Sequence, residues 1–278
     1  MKKKLILTLI VLSFLFCACV EQTTPVKIRI DAVQAKDSYK QQIAISPMDF
    51  VTITKHTITI APHEENKTYT VSGYFNGQIM VKTKNTILKL DNAYLENTSG
   101  KAALRCTAKT EISSVGGTTN YIVSRGRGFA KNAALQGKRS LIIGGSGTLY
   151  VDGRICHAVE ADNVKIKGSG TFYLQGTKRG SALTCESLEV ESEKSFNAYL
   201  LNSRNGIKAD GTISIASGNF YLYNNEVALK TEIDTGAGKK ARAITLTGGT
   251  FHITGNGALY ITALGAFNAV GATFVNED

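Results

Sequence analysis

The 278-residue sequence predicts an all-β fold, a parallel β-helix solenoid with three strands in each coil of about 24 residues. A short phrase returns through residues 144–274. It reads Gly-Ser-Gly-Thr-Leu-Tyr-Val at 145–151 and Gly-Ser-Gly-Thr-Phe-Tyr-Leu at 168–174, with looser copies further on. Its large apolar residues, Leu149, Phe172, Phe196, Phe220, Phe251 and Phe274, are separated by 23, 24, 24, 31 and 23 residues. Two further columns keep the step: Leu135, Val159, Leu183, Ile207 and Leu229 in one, and alternating triplets beginning at Leu141, Val164, Leu188, Ile213 and Ile244 in the other. The triplets alternate as strands do, and no stretch keeps a 3.6-residue spacing long enough to bury a helical face.

Residues 1–18 read as a lipoprotein signal peptide: Lys2, Lys3 and Lys4, then an apolar run over 5–16 too short to span a bilayer. Phe16-Cys17-Ala18-Cys19 is similar to a bacterial lipobox, with Cys19 as the lipid-bearing residue; the bulky Phe16 makes Cys17 a poor one. Several acyl chains on one cysteine would hold the chain to a membrane, by the rule that two signals suffice. Cleavage would leave 29 basic against 22 acidic residues, a net charge of +7 instead of +10. Residues 19–50 read as a tether with a first strand at 26–30, and 51–278 as a single β-helix domain. Three Pro, no Trp and 27 Gly suit a strand-and-turn chain with many tight corners.

The alternation begins at Val51–Ile53 and Thr57–Ile60, with a looser period that suits a capping end. Regular coils follow from Ala102. Residues 124–132 and 232–242 read as insertions, and the second explains the single long step. Insertions in solenoids form loops on one side.

The runs Gly77-Gln-Ile-Met-Val81, Leu88-Lys-Leu-Asp-Asn-Ala93, Asn132-Ala-Ala-Leu135 and Leu141-Ile-Ile-Gly-Gly-Ser-Gly-Thr-Leu149 resemble a bacterial carbohydrate-binding family of right-handed parallel β-helix lipoproteins. The resemblance covers roughly residues 51–262. It implies a surface-exposed protein of pectate-lyase-like architecture, associated with cellulose and acidic sugars. Members of that family are commonly rich in Asp at the coil corners, with calcium there. This chain departs from the pattern by placing Lys and Arg at many corners.

If the Leu149–Phe172 column faces inward, the next residues face out: Tyr150, Tyr173, Asn197, Tyr221 and His252. Coils in register place them about 4.8 Å apart. Tyr150, Tyr173 and Tyr221 are candidate stacking residues for sugar rings, or else supports of the sheet. At the following corner Arg154, Lys178, Arg179 and Arg204 recur about once per coil, suited to carboxylates or sulfates, or forming a solvated rim. Asp162, Glu186 and Asp210 form an acidic column at a step of 24. Adjacent carboxylates at coil spacing suit a hard cation such as calcium, and serve equally well as ordinary corner turns; Lys138 ends the column.

Cys106 and Cys185 occupy inward positions about three coils apart, too far for a disulfide. There is no Cys/His cluster, nucleophile elbow or phosphate loop, and no coil joins several acids to a nearby base. The sequence therefore favours a non-catalytic, lipid-anchored cell-envelope protein that binds an acidic or plant-type polysaccharide. A calcium-dependent pectate-type lyase and a structural or adhesive surface lipoprotein are the alternatives. Export to the cell surface argues against a nucleic-acid partner despite the positive charge.

Overall fold

The computed structural model describes residues 36, 39, 42–64, 66–126, 132–232, 243–254, 261–263 and 265–277. Cys19, the expected strand at 26–30 and most of both insertions lie outside these. From Thr57 onward the chain winds into about eight turns, each strand pairing in parallel with the strand one coil away. Each coil presents three faces in succession.

The expected columns set the register. On the first face Leu104, Leu135, Val159, Leu183, Ile207 and Leu229 lie one above another. On the second, Ile112, Ile143, Ile166, Val190, Ile215 and Leu246 do the same. All twelve are buried in one continuous core, as stacking requires of coils that cannot bury an apolar face alone. The returning Gly-Ser-Gly phrase marks the corner between the second and third faces. Gly145 has φ +103° there, and a Cβ on it would lie 2.1 Å from the Ser114 carbonyl oxygen.

One column needs correction. The third-face register runs Leu149, Phe172, Ala198, Phe220, Phe251 and Phe274, so Phe196 is not a member. Ala198 is too small to fill the interior. The Phe196 ring enters from the preceding turn instead, edge-on to Phe172 at 5.0 Å and to Phe220 at 6.0 Å. Asn197 therefore precedes the outward tyrosine position, which belongs to Tyr199.

The first two coils depart differently. Thr68–Asn76 and Thr86–Asn97 are long strands that pass from second face to third, with a register shift between Val71 and Gly73. Tyr74 and Tyr94 join the third face in this way without the Gly-Ser-Gly punctuation. Two short antiparallel pairings, Ala44–Ser46 on the first long strand and Val51–Ile53 on Thr57–Ile60, complete the N-terminal end.

Candidate functional site: an outward tyrosine ladder and its corner

Alternation along the third-face strands turns one residue of each coil outward at the same height. Tyr74, Tyr94, Tyr121, Tyr150, Tyr173, Tyr199, Tyr221 and His252 form one column. From Tyr121 to Tyr221 successive ring centroids are 4.8, 4.4, 4.6 and 4.3 Å apart and the rings lie within 9° of parallel. His252 continues the stack at 4.5 Å. Four of these tyrosines, Tyr74, Tyr94, Tyr121 and Tyr199, were not among the sequence candidates. A Thr/Asn-x-Tyr phrase at Thr119, Thr148, Thr171, Asn197 and Asn219 carries the register and would have found Tyr121 and Tyr199.

This geometry corrects the expectation of sugar rings lying flat on Tyr150, Tyr173 and Tyr221. Both faces of each ring are taken by the rungs above and below. What the ladder offers outward is a row of ring edges and phenol oxygens. Burial raises the pKa of Tyr121, Tyr150, Tyr173 and Tyr199, so these phenols remain protonated donors at neutral pH. Beside them, on the same outward side, Thr148, Thr171, Asn197 and Asn219 form a second, polar column.

The two ends of the ladder are covered. Near the N-terminal end Tyr39 packs on Tyr94 at 5.5 Å and edge-on to Tyr121 at 5.7 Å, and its hydroxyl donates to the Thr119 carbonyl at 2.5 Å. Beneath this strap lies Glu96, 1% exposed, paired with Lys36 at 3.2 Å and Arg125 at 3.0 Å and accepting from the Tyr74 hydroxyl at 3.0 Å. Arg125 also donates to the Tyr94 oxygen at 3.1 Å. Burial pushes the Tyr94 pKa up to about 12. At the other end Glu277 accepts from the Tyr223 hydroxyl at 2.5 Å and contacts His252 Nδ1 at 2.7 Å. Between these covers Tyr150, Tyr173, Tyr199 and Tyr221 stay half-buried with their edges outward.

The basic residues do recur at the corner after this face, but they are not equivalent. Arg154 turns back onto Asp152, a wholly buried carboxylate, at 2.6 Å. Lys178 donates to the Asn224 carbonyl at 3.1 Å, and Arg204 faces Glu226 at 3.9 Å. Arg179 is exposed. The even basic column read from the sequence is thus one internal pair, two surface contacts and one outward charge. Amides fill the corner between them, as Asn202 donates to Gln175 at 3.0 Å and Asn224 to Asn202 at 3.3 Å.

Asp162, Glu186 and Asp210 lie at successive coils of another corner, where the register shifts after Cys185. Lys208 sits 3.6 Å from Asp210. Among the described residues no three His, Cys, Asp or Glu side chains converge to hold a metal ion. Cys106, Cys156 and Cys185 are buried, and burial pushes the Cys106 thiol up to about 12. No helix among the described residues is long and apolar enough to cross a membrane.

The strand register defines the chain as an all-β parallel solenoid of about eight turns. A solved structure described as the polysaccharide lyase-like protein from C. thermocellum, a gadolinium derivative, superposes with a TM-score of 0.51. The match covers 82% of this chain and 88% of that one at 19% identity, which shows a shared fold. More particularly, residues 49–163 match the model of a family described as carbohydrate-binding domain-containing proteins. No curated protein matches the chain.

Proposed function

We propose that the chain is a non-catalytic, lipid-anchored cell-envelope receptor for an extended polysaccharide, acidic or plant-type, that lies parallel to the solenoid axis along the open half of the ladder. The observation that carries the reading is the uncovered strip: phenol edges of Tyr150, Tyr173, Tyr199 and Tyr221 beside hydroxyls and amides of Thr148, Thr171, Asn197 and Asn219. The strip repeats once per coil, about every 4.8 Å, close to the advance of one pyranose unit along an extended glycan. Each sugar would meet the same donors and acceptors as its neighbour. Arg179 and Lys178 at the adjoining corner would favour carboxylated chains, while Arg154 and Arg204 take lesser parts because each already has an acidic partner. The family match and the lyase-like fold support carbohydrate as the ligand class.

Calcium held by Asp162, Glu186 and Asp210 belongs to the alternative reading, a calcium-dependent pectate-type lyase. A polysaccharide array run with and without calcium, with absorbance of unsaturated uronide followed on pectate, separates the two. Binding without product, indifferent to chelator, is the expected result; chelator-sensitive product makes the protein a lyase. Anchoring through Cys19 predicts that Cys19→Ser moves the protein from the detergent phase to the aqueous phase.

A further inference from the structure

The corner that carries the basic residues opens, in the first coils, into a cleft of about 300 Å³. Its walls are the turn at Asn76, Gly77 and Gln78, the next turn at Asn97, Ser99 and Lys101, and His56 from the coil below. Gly77 lines it where the backbone packs closely, since a Cβ there would lie 2.4 Å from the His56 carbonyl oxygen. This volume is at the small end for ligand sites, enough for one sugar ring rather than a chain.

The walls are fixed before any ligand arrives. Gln78 donates to the Ala102 carbonyl at 2.9 Å. The side-chain oxygen of Asn97, a residue 3% exposed, accepts from the Ser99 backbone at 2.9 Å and hydroxyl at 2.8 Å. Thr98 donates to the Asn76 oxygen at 3.2 Å. Among the described residues the Gln78 side-chain oxygen and the Asn76 amide protons take no part in these bonds. Such pre-ordering lowers the entropic cost of binding. No lining residue is acidic, and Lys101 and His56 are exposed at the rim. Among the described residues neither has an acidic partner.

We propose that this cleft binds a single carboxylated sugar ring, a uronic-acid residue. The amides of Asn76 and Gln78 and the hydroxyl of Ser99 would meet the ring hydroxyls, and Lys101 with His56 would meet the carboxylate. Neighbouring hydroxyls on a pyranose each need a donor and an acceptor, which paired amides supply. The carboxylate needs a cation in a site free of other acids. Because the cleft lies at the same corner as Lys178 and Arg179 but several coils away, it would hold a chain end or a branch rather than the run of sugars along the ladder. The inference rests on the carbohydrate reading but on different residues.

The test is isothermal titration of the full chain with galacturonic acid, galactose and inorganic phosphate, beside an acidic polysaccharide. Galacturonic acid should bind and galactose should bind at least tenfold more weakly. Lys101→Ala and Gln78→Ala should each weaken galacturonic acid at least tenfold, while Lys89→Ala, which removes an exposed charge elsewhere, should not. Polysaccharide that binds while galacturonic acid does not, or a Lys101→Ala protein that binds it unchanged, overturns the cleft and leaves the ladder reading standing. Phosphate competing as well as the uronate also overturns it, showing an anion site without sugar recognition. If no carbohydrate binds at all, both readings fall.

Discussion

The first rungs of the tyrosine ladder and its middle rungs are built from the same residue at the same register, yet they are packed differently. Tyr74 and Tyr94 are tilted by 44° and Tyr94 and Tyr121 by 28°, whereas the four contacts from Tyr121 to Tyr221 stay within 9° of parallel. Tyr94 is wholly buried under Tyr39 and bonded to Arg125. Tyr173 keeps an open edge. A stacked column on a β-helix is therefore not by itself a binding site. Its rung Tyr94 is buried where Tyr39 packs over it, and the rungs from Tyr150 to Tyr221 are half-buried.

The largest expected break in this comparison comes from deleting one ring at each place. Tyr94→Ala should cost about 3–5 kcal/mol, as large-to-small changes at buried aromatic sites do. Tyr173→Ala should cost about 1–3 kcal/mol, two stacking contacts' worth. Equal losses in chemical denaturation would remove the distinction between covered and open rungs.

A smaller contrast lies at the corner. Arg154→Ala strips the guanidinium from buried Asp152 and should lower stability by about 2 kcal/mol, below the full cost of breaking a buried pair because Arg154 is partly exposed. Arg179→Ala should change stability by less than about 0.5 kcal/mol, as surface substitutions do. Its effect should appear instead as weaker binding of an acidic glycan at low salt, vanishing as salt shortens the screening length.

The first two faces were legible because Leu, Ile and Val hold a constant step there, and the paired register reproduces it. The third face was legible only in part. The aromatic at Phe196 drew the alignment two residues off Ala198, so Tyr199 was missed, although Asn197-Ala-Tyr199 kept the phrase of its neighbours. Tyr74 and Tyr94 were hidden because their strands cross a corner without the glycine phrase. The fate of the basic column could not be read either. Whether Arg154 faces outward depends on Asp152 two residues earlier being buried, which spacing does not encode. The strap of Lys36 and Tyr39 lies in a polar stretch with no periodicity.

Alkaline titration sharpens the same comparison. Burial raises the ladder phenols, to about 12 for Tyr94. An unfolded tyrosine ionises near pH 10, so the folded chain holds protons that the unfolded chain loses above that pH. The stability from these phenols should be intact below about pH 10 and be lost as pH rises toward about 12. Tyrosinate absorbance and denaturant midpoints read together across that range check it; ionisation of all phenols near pH 10 with no loss of stability would contradict it.

The smallest effect is expected from the strap. Tyr39→Ala should cost about 1 kcal/mol of edge contacts and uncover the rings of Tyr94 and Tyr121. Glycan affinity should stay the same or rise. Weaker binding would place Tyr39 inside the site rather than over its end.

The central claim, that the open rungs hold a polysaccharide, is tested most directly by titrating a neutral and an acidic oligosaccharide into the wild-type protein and a Tyr173→Ala/Tyr199→Ala variant whose folding has been verified by circular dichroism. The account predicts at least tenfold weaker binding of both ligands, about 1.4 kcal/mol, at low and at high salt alike. Unchanged binding of both would contradict it and leave the ladder as scaffold.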